Sequence, residues 1–115
     1  MEIDPKRMKR AAADASGLFA VLSSPKRLMI LCRLVDGEAS VGELAAFAGG
    51  TQSGVSQHLA MLRNQGVVAT RRDAQTIYYR LASEPARGIM EAAYASFCGP
   101  AKGRGRACKP SGAKA

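Results

Sequence analysis

The feature that most constrains the fold is a pair of short helices predicted between residues 40 and 66. Residues 40–43, Ser-Val-Gly-Glu, have the spacing of a capping box, in which the serine and glutamate side chains satisfy backbone amides at a helix start. That helix is expected to break at Gly49 and Gly50. Thr51 can then cap a second helix that ends at Gly66, a residue suited to the left-handed conformation. The core residues of this second helix are predicted to be Val55, Leu59 and Leu62. Two such helices joined by a glycine-containing turn are typical of a helix-turn-helix.

The hydrophobic period changes from helical to strand-like after Gly66. Residues 67–72 are predicted to form one strand, and residues 76–81 alternate apolar and polar side chains as a second strand. Asp73 and Ala74 would form the tight connection between them. A hairpin directly after a helix-turn-helix is a wing. We therefore predict a mainly α protein with a small β-hairpin, a winged helix-turn-helix of about five helices and a two-stranded wing.

Three further helices are predicted around this unit. The first begins near Ala15, and the second begins at Ser24 and Pro25, a capping hydroxyl followed by proline at the first helical position. The last begins at Pro85. The second helix is expected to carry an apolar face of Leu28, Leu31, Cys32 and Val35, and the last one of Ile89, Met90, Ala93 and Phe97. The chain is thus divided into an N-terminal extension over 1–14, a winged-helix domain over 15–98 and a tail over 99–115.

Positive charge is concentrated at the C-terminal end of the 115 residues, a length that fits one domain. Of a formal net charge of +8, residues 99–115 carry five bases and no acid, whereas residues 1–98 hold 12 bases and 9 acids. A polyanion suits this distribution because neutralised phosphates release counterions, although surplus bases can also serve solubility alone. The Gly-, Lys- and Arg-rich composition predicts a flexible tail.

No apolar run approaches the roughly 18 residues that a membrane span needs. Residues 1–10 alternate acids and bases and lack the apolar stretch of a secretory signal. We therefore expect a soluble, cytoplasmic protein that does not enter a membrane.

The second helix of the pair is predicted to present small and amide side chains opposite its buried stripe. At about 100° per residue, Ser53 and Gln57 lie on the far face, with Ser56 and His58 on its flanks. Glutamine matches an adenine edge, and serine can bond to bases or phosphates. The wing adds Arg80 and other polar side chains suited to the DNA backbone. The candidate DNA contacts are Gln52, Ser53, Ser56, Gln57, His58, Arg63, Arg71, Arg72 and Gln75. The alternative is an ordinary solvated face.

Three cysteines and one histidine are the candidates for chemistry. Cys32, Cys98 and Cys108 form no CxxC pair, so they are either small buried hydrophobes or working thiols. His58 has neither a second metal ligand nearby in sequence nor a partner for acid–base catalysis, which favours a phosphate or base contact. A thiol enzyme would need an activated thiolate, and Cys98 lies at a predicted helix C-terminus, where the helix dipole opposes thiolate formation. We therefore predict that the chain is not an enzyme.

Residues 51–66 and 70–80 resemble the ArsR/SmtB family of bacterial repressors, and the similarity covers roughly residues 15–98. The resemblance implies a homodimer paired largely through its first and last helices. It also implies binding to inverted repeats in double-stranded DNA and release when an inducer binds. Residues 15–98 would then form the DNA-binding and dimerisation domain, with Ser53, Ser56, Gln57 and His58 facing the DNA.

The sequence departs from the metal sensors of that family. Their thiolate-type members carry two cysteines in the third helix, where this chain has Ser40 and Gly42. Another subgroup binds zinc through Asp, His and Glu of the last helix, where this chain has Glu91 but no histidine. Because soft metals prefer three or four thiolate or imidazole ligands, we predict neither a metal site of these types nor a cofactor.

Cys32 in the second helix and Cys98 at the end of the last resemble a sulfide-responsive subgroup, the BigR/SqrR-like repressors, as do residues 75–80. The resemblance implies that persulfides or oxidants join the two cysteines through a disulfide or polysulfide bridge, and that the repressor then releases DNA. A disulfide requires Cα atoms closer than about 7 Å. Cys108 has no counterpart in this pattern. The alternatives are a constitutive repressor of the same fold and one that senses a metal through all three cysteines.

Overall fold

The structure, a computed structural model, describes residues 1–99. Within that range it contains five α-helices and three β-strands: α1 (Pro5–Leu22), α2 (Pro25–Val35), β1 (Ala39–Ser40), α3 (Val41–Ala48), α4 (Gln52–Asn64), β2 (Val68–Asp73), β3 (Thr76–Leu81) and α5 (Glu84–Cys98). The predicted winged helix-turn-helix is confirmed. The predicted flexible tail and Cys108 lie outside the described residues, apart from Gly99.

Helix α2 lies at the centre and packs against α1, α3, α4, α5 and β3. Its start is the predicted one, since Ser24 Oγ accepts a hydrogen bond from the Arg27 amide at 3.3 Å and Pro25 follows the cap. The predicted apolar face needs correction: Ile30, Leu31 and Leu34 are the buried residues, whereas Leu28 is exposed and Cys32 and Val35 are half-buried. The face is wider than one helical stripe because neighbours surround α2 on several sides.

Helix α1 begins ten residues before the predicted start near residue 15. Asp4 caps it by accepting a hydrogen bond from the Lys6 amide at 3.0 Å, and Pro5 occupies the first turn. Residues 5–14 are exposed, so they have no hydrophobic period for the sequence to reveal, and their alanine content favours a helix. The division at residue 15 stays a prediction.

The helix-turn-helix has the predicted caps. Ser40 Oγ accepts from the Glu43 amide at 3.2 Å, and Glu43 Oε1 accepts from the Ser40 amide at 2.8 Å. Gly49 and Gly50 follow α3 with φ of 85° and 104°, values that side chains disfavour, which explains why glycine occupies this turn. Thr51 Oγ1 accepts from the Gly54 amide at 3.0 Å at the start of α4.

The buried stripe of α4 is the predicted one, formed by Val55, Leu59 and Leu62. Gly66, just beyond the helix, has a φ of 75°, in agreement with its predicted role as a left-handed terminator.

The wing is part of a three-stranded antiparallel sheet with the order β1-β3-β2. The hairpin of β2 and β3 was predicted, but the two-residue strand β1 was not, because two residues carry no period. Asp73 pairs with Thr76, so the tight turn consists of Ala74 and Gln75 rather than Asp73 and Ala74. The sheet rests on the core through Val68 and Leu81, which face each other in the register.

Helix α5 begins at Glu84, with Ser83 as its cap. Ala86 and Met90 are buried, whereas Phe97, predicted on the apolar side, is 64% exposed. The predicted side thus continues beyond the surface that the rest of the chain covers. No helix within residues 1–99 has the length and apolarity needed to cross a membrane.

The wing turn offers a test of local strain. Ala74 has a φ of 58°, a conformation that costs an L-residue with a Cβ roughly 1–2 kcal/mol and that asparagine tolerates better. Ala74→Asn should therefore raise the free energy of unfolding by up to about 1 kcal/mol, measured by urea denaturation at fixed protein concentration. Ala12→Asn, at an exposed position within α1, should instead be destabilising, and equal effects of both changes would contradict the assignment.

Candidate DNA-binding surface and thiol pair

The exposed side of α4 carries the polar residues that the sequence singled out. Gln52, Ser53, Ser56 and Gln57 are all exposed, and they occupy the first half of the helix. The first turn contains no acidic residue, so its free amides and the positive end of the helix dipole are not offset by a side-chain charge. An α-helix that exposes hydrogen-bonding side chains of this kind can enter a DNA major groove.

His58 is held from behind rather than fully exposed. It is half-buried, and its Nδ1 lies 3.2 Å from Nη1 of Arg27 on α2. Arg27 also donates through Nε to the carbonyl oxygen of Val21 near the end of α1, at 2.5 Å. One guanidinium thus joins α1, α2 and α4, and it orients the histidine ring.

A second basic side chain of α2 supports the turn between α3 and α4. Lys26 Nζ donates to the carbonyl oxygens of Ala48 and Gly49 at 3.0 and 2.9 Å. These carbonyls lie at the end of α3, where the last carbonyl groups of a helix have no hydrogen-bond donors within the helix itself. The angle between α3 and α4 is therefore stabilised from α2.

The α4–wing groove, between α4 and β3, is lined by Ser56, Ala60, Arg63, Asn64 and Tyr79. It brings the predicted contacts Ser56 and Arg63 close to the face of the wing that carries Tyr79. Arg72 lies on that same face of the sheet, because it pairs with Ile77, two residues from Tyr79.

Arg71 lies on the opposite face of the wing and is already engaged. Its guanidinium makes a two-pronged hydrogen bond to the carboxylate of Glu38, and it lies 4.8 Å from the ring centre of Tyr78. The hydrogen bond from Arg71 lowers the pKa of Glu38. Arg72 and Gln75 are exposed, so within the wing these two present the more available side chains.

Helices α2 and α5, which carry the two described cysteines, pack against each other. Cys32 is half-buried on α2, and Cys98 is exposed at the last residue of α5. Burial raises the pKa of the Cys32 thiol, and the charges of Cys98 and then of Asp36 raise it further. The effect of the Cys98 charge on this pKa agrees with the packing of α2 against α5. At neutral pH, Cys32 is held largely as the thiol.

The thiol cleft, a cavity of about 510 Å³, opens beside Cys32 between α2, α3 and α5. Its other lining residues are Val35, Asp36, Phe47, Met90, Glu91 and Tyr94. Tyr94 lies one helical turn before Cys98, so the cleft extends toward the second thiol. A small molecule in this cleft would lie against Cys32.

Within residues 1–99 no group of three or more His, Cys, Asp and Glu side chains is placed to hold a metal ion.

Sequence reasoning missed the side chains that support the site. Lys26, Arg27 and Glu38 each contact a residue 22 or more positions away, and no local spacing signals these contacts. The first turn of α2 did carry a partial signal, since two adjacent bases, Lys26 and Arg27, precede the apolar run at residues 28–32.

Comparisons with known proteins place the chain among regulators. A family model described as "Bacterial regulatory protein, arsR family" matches residues 24–70. The biofilm growth-associated repressor of Agrobacterium fabrum is 46% identical over 99 residues, which cover 86% of this chain and 85% of the relative. The transcriptional activator HlyU of Vibrio cholerae is 41% identical, over 81% of this chain and 86% of the relative.

The solved structures agree with the sequence relatives. The crystal structure of the transcriptional repressor BigR from Xylella fastidiosa superposes with a TM-score of 0.79 at 42% identity, covering 84% of this chain and 98% of that chain. Fold and site thus define a DNA-binding transcription regulator of the winged helix-turn-helix class, not an enzyme. The chain belongs to the ArsR family of bacterial regulators, and its resemblance to the BigR-like subgroup is confirmed.

Arg27 provides a test of how α4 is held. Arg27→Gln removes the bonds to His58 Nδ1 and to the Val21 carbonyl, and it should lower the free energy of unfolding by about 1–3 kcal/mol. Urea denaturation measures the change. Arg72→Gln removes the same charge from an exposed wing position and should change stability by less than about 0.5 kcal/mol. Equal stabilities of the two variants would show that the Arg27 bonds contribute nothing.

Proposed function

We propose that this protein is a homodimeric transcriptional repressor that binds an inverted-repeat operator and releases it when Cys32 and Cys98 become joined through sulfur. The observation that carries the proposal is the placement of the two thiols: they belong to α2 and α5, two different helices that pack against each other behind α4. A bond between them would change how these helices sit. The proposal places the protein in the bacterial cytoplasm, with its DNA.

In this proposal α4 enters the major groove. Gln52, Ser53, Ser56 and Gln57 contact bases or phosphates, and His58 contributes from the flank of the helix. Arg63, Arg72 and Gln75 contact the DNA backbone beside the groove. A DNA contact by Arg71 requires this side chain to leave Glu38 and bind a phosphate. If it stays with Glu38, Arg71 contributes to DNA binding only by holding the wing in place.

Exposed aromatic side chains support the dimer. Phe19 on α1 is 55% exposed and Phe97 on α5 is 64% exposed, on the two helices that the family resemblance implies in pairing. A similar structure solved by solution NMR, the homodimeric winged helix-turn-helix domain of Mb0332 from Mycobacterium bovis, superposes with a TM-score of 0.68 at 26% identity. Two-fold symmetry would match an inverted repeat, because each protomer then meets one half-site.

The sulfur chemistry needs one persulfide per protomer. A cysteine thiolate attacks the outer sulfur of RSSH, which forms a protein persulfide and releases RSH. The second cysteine then attacks the inner, protein-bound sulfur, so that a Cys32–Cys98 disulfide forms and the outer sulfur leaves as hydrogen sulfide. Both cysteines are oxidised, and the persulfide supplies the oxidising sulfur. Retention of additional sulfur would give a longer bridge.

The link from thiols to DNA runs through α2. Cys32 lies on the same helix as Arg27, which bonds His58 of α4, and as Lys26, which supports the turn before α4. A shift of α2 toward α5 would therefore move both supports of the recognition helix together. A coupling of 1–3 kcal/mol between sites, typical of such switches, corresponds to about 5- to 150-fold in affinity.

Bridging should weaken operator binding. In a Cys108→Ser background, which leaves only the two helix thiols, an organic persulfide should link Cys32 to Cys98 and reduce the affinity for an operator selected by the reduced protein by at least about fivefold. Peptide mass mapping identifies the bridge, and fluorescence anisotropy measures the affinity.

Cys32→Ser and Cys98→Ser are the matched controls. Each should bind the operator like the reduced parent and lose the response. Unlinked thiols after treatment, or a Cys98→Ser variant that still releases DNA, would show that the pair is not the sensor.

Gln57 provides a test of base readout. Gln57→Ala should weaken operator binding by about 1–3 kcal/mol and should relax the preference at one base pair of each half-site. Arg72→Gln should weaken binding to all sequences alike and reduce the salt slope by about one. Gln65→Ala, an exposed glutamine just beyond α4, is the control and should bind normally. A Gln57 variant with unchanged sequence preference would remove this residue from the readout.

A further inference from the structure

We propose that Asp36 and Glu91 select the compounds that react in the thiol cleft, so that neutral and cationic disulfides or persulfides react faster than anionic ones. This inference rests on the proposed function, since it concerns which sulfur compounds reach the thiol pair. It names a chemical class of inducer and two specificity-determining residues that do not themselves react.

The lining of the thiol cleft has one sign of charge. Apolar side chains of Val35, Phe47 and Met90 form much of its wall, and Asp36 and Glu91 are its two ionisable carboxyl groups. Among residues 1–99, no lysine or arginine lines the cleft. An anionic compound would therefore meet two negative charges against a partly apolar wall, with no cation to offset its own charge.

Each of the two acids lies on a helix that carries one of the two thiols. Asp36 follows Cys32 by four residues, one helical turn, at the C-terminal cap of α2. Glu91 precedes Cys98 by seven residues, two turns along the same side of α5. The charge of Asp36 already acts at the sulfur, because it contributes to the raised pKa of Cys32.

The nearby bases are turned to other partners. Arg33 donates to the carbonyl oxygen of Gly37, and Arg87 donates to that of Val35 and lies 4.0 Å from Glu84. Neither lines the cleft. Both guanidinium groups keep their positive charge and partly offset the two carboxylates from outside the cleft. The charges on the lining itself are negative, although the chain as a whole carries a net charge of +8.

The size of the effect follows from Coulomb's law. A unit charge about 7 Å from a carboxylate in water changes its local concentration about threefold. Two carboxylates therefore change the local concentration of a singly charged compound, relative to a neutral one, by about tenfold. Added salt shortens the range of the interaction and should reduce this preference.

The reaction with a disulfide RSSR makes the preference measurable. A cysteine thiolate attacks one sulfur, forms a protein–SR mixed disulfide and releases RS⁻. The second cysteine loses its proton to solvent, attacks the protein sulfur and releases the second RS⁻. Both cysteines are oxidised, and the disulfide is reduced to two thiols. Charge on R changes the approach of the reagent without changing these steps.

Three disulfides of similar size test the inference: dicationic cystamine, neutral bis(2-hydroxyethyl) disulfide and dianionic 3,3′-dithiodipropionate. Rates of modification of the reduced Cys108→Ser protein are followed by mass spectrometry and divided by the rates with a small neutral reference thiol, which removes differences in intrinsic reactivity. At low salt, cystamine should react at least tenfold faster than dithiodipropionate after this correction. High salt should bring the ratio to below about threefold.

Charge-neutral variants locate the effect. Asp36→Asn together with Glu91→Gln should reduce the corrected ratio of the cystamine rate to the dithiodipropionate rate to about one. Each single change should have an intermediate effect. Asp73→Asn, which removes one carboxylate at the wing, should leave the ratio unchanged. A corrected ratio near one in the parent, or an unchanged ratio in the double variant, would overturn the inference.

The same experiment separates the two proposals. Mixed disulfides that form at charge-dependent rates without a Cys32–Cys98 bridge would support the selective cleft and count against the dithiol switch. A bridge that forms at charge-independent rates would support the switch and exclude the selection by Asp36 and Glu91.

Discussion

The rest of the structure depends on the burial of the apolar side of α2. Ile30, Leu31 and Leu34 are removed from solvent by neighbours on several sides, and burying an aliphatic side chain of this size contributes about 1.5–3 kcal/mol. Because α2 is central, its first turn contacts the helix-turn-helix and its later turns border the thiol cleft. Its first turn holds the helix-turn-helix from behind, and its last turns carry one of the two thiols.

The charge distribution divides the chain into regions with different chemistry. The exposed start of α4 has no acid, whereas the cleft beside Cys32 is lined by two. The wing has charges of both signs. Arg71 forms an ion pair with Glu38 on one face, whereas Arg72 is exposed on the other face. The net charge of the whole chain therefore describes none of these surfaces, and interactions with DNA and with small thiol reagents obey different local fields.

Sequence reasoning was most successful where a local rule decides the structure. The caps at Ser24, Ser40 and Thr51 and the buried stripe of α4 were predicted because each depends on residues within one or two turns. The start of α1 was missed because an exposed alanine-rich segment has no period, and β1 was missed because it is formed by pairing with β3. Of the site, the exposed polar residues of α4 could be predicted, whereas the Arg27–His58 contact joins positions 31 apart and depends on the packing of α2 against α4.

The contact between Arg27 and His58 also determines which hydrogen-bonding group the histidine can present. A guanidinium has donors only, so Nδ1 of His58 must accept, and in the neutral ring the proton then resides on Nε2. Nε2, the other ring nitrogen, is therefore a donor. Any hydrogen bond that this nitrogen makes with DNA would be directed to an acceptor, such as a phosphate oxygen, a purine N7, guanine O6 or thymine O4, and not to the amino groups of adenine or cytosine. Arg27, a side chain on α2, thus restricts which hydrogen-bonding groups of DNA His58 of α4 can contact.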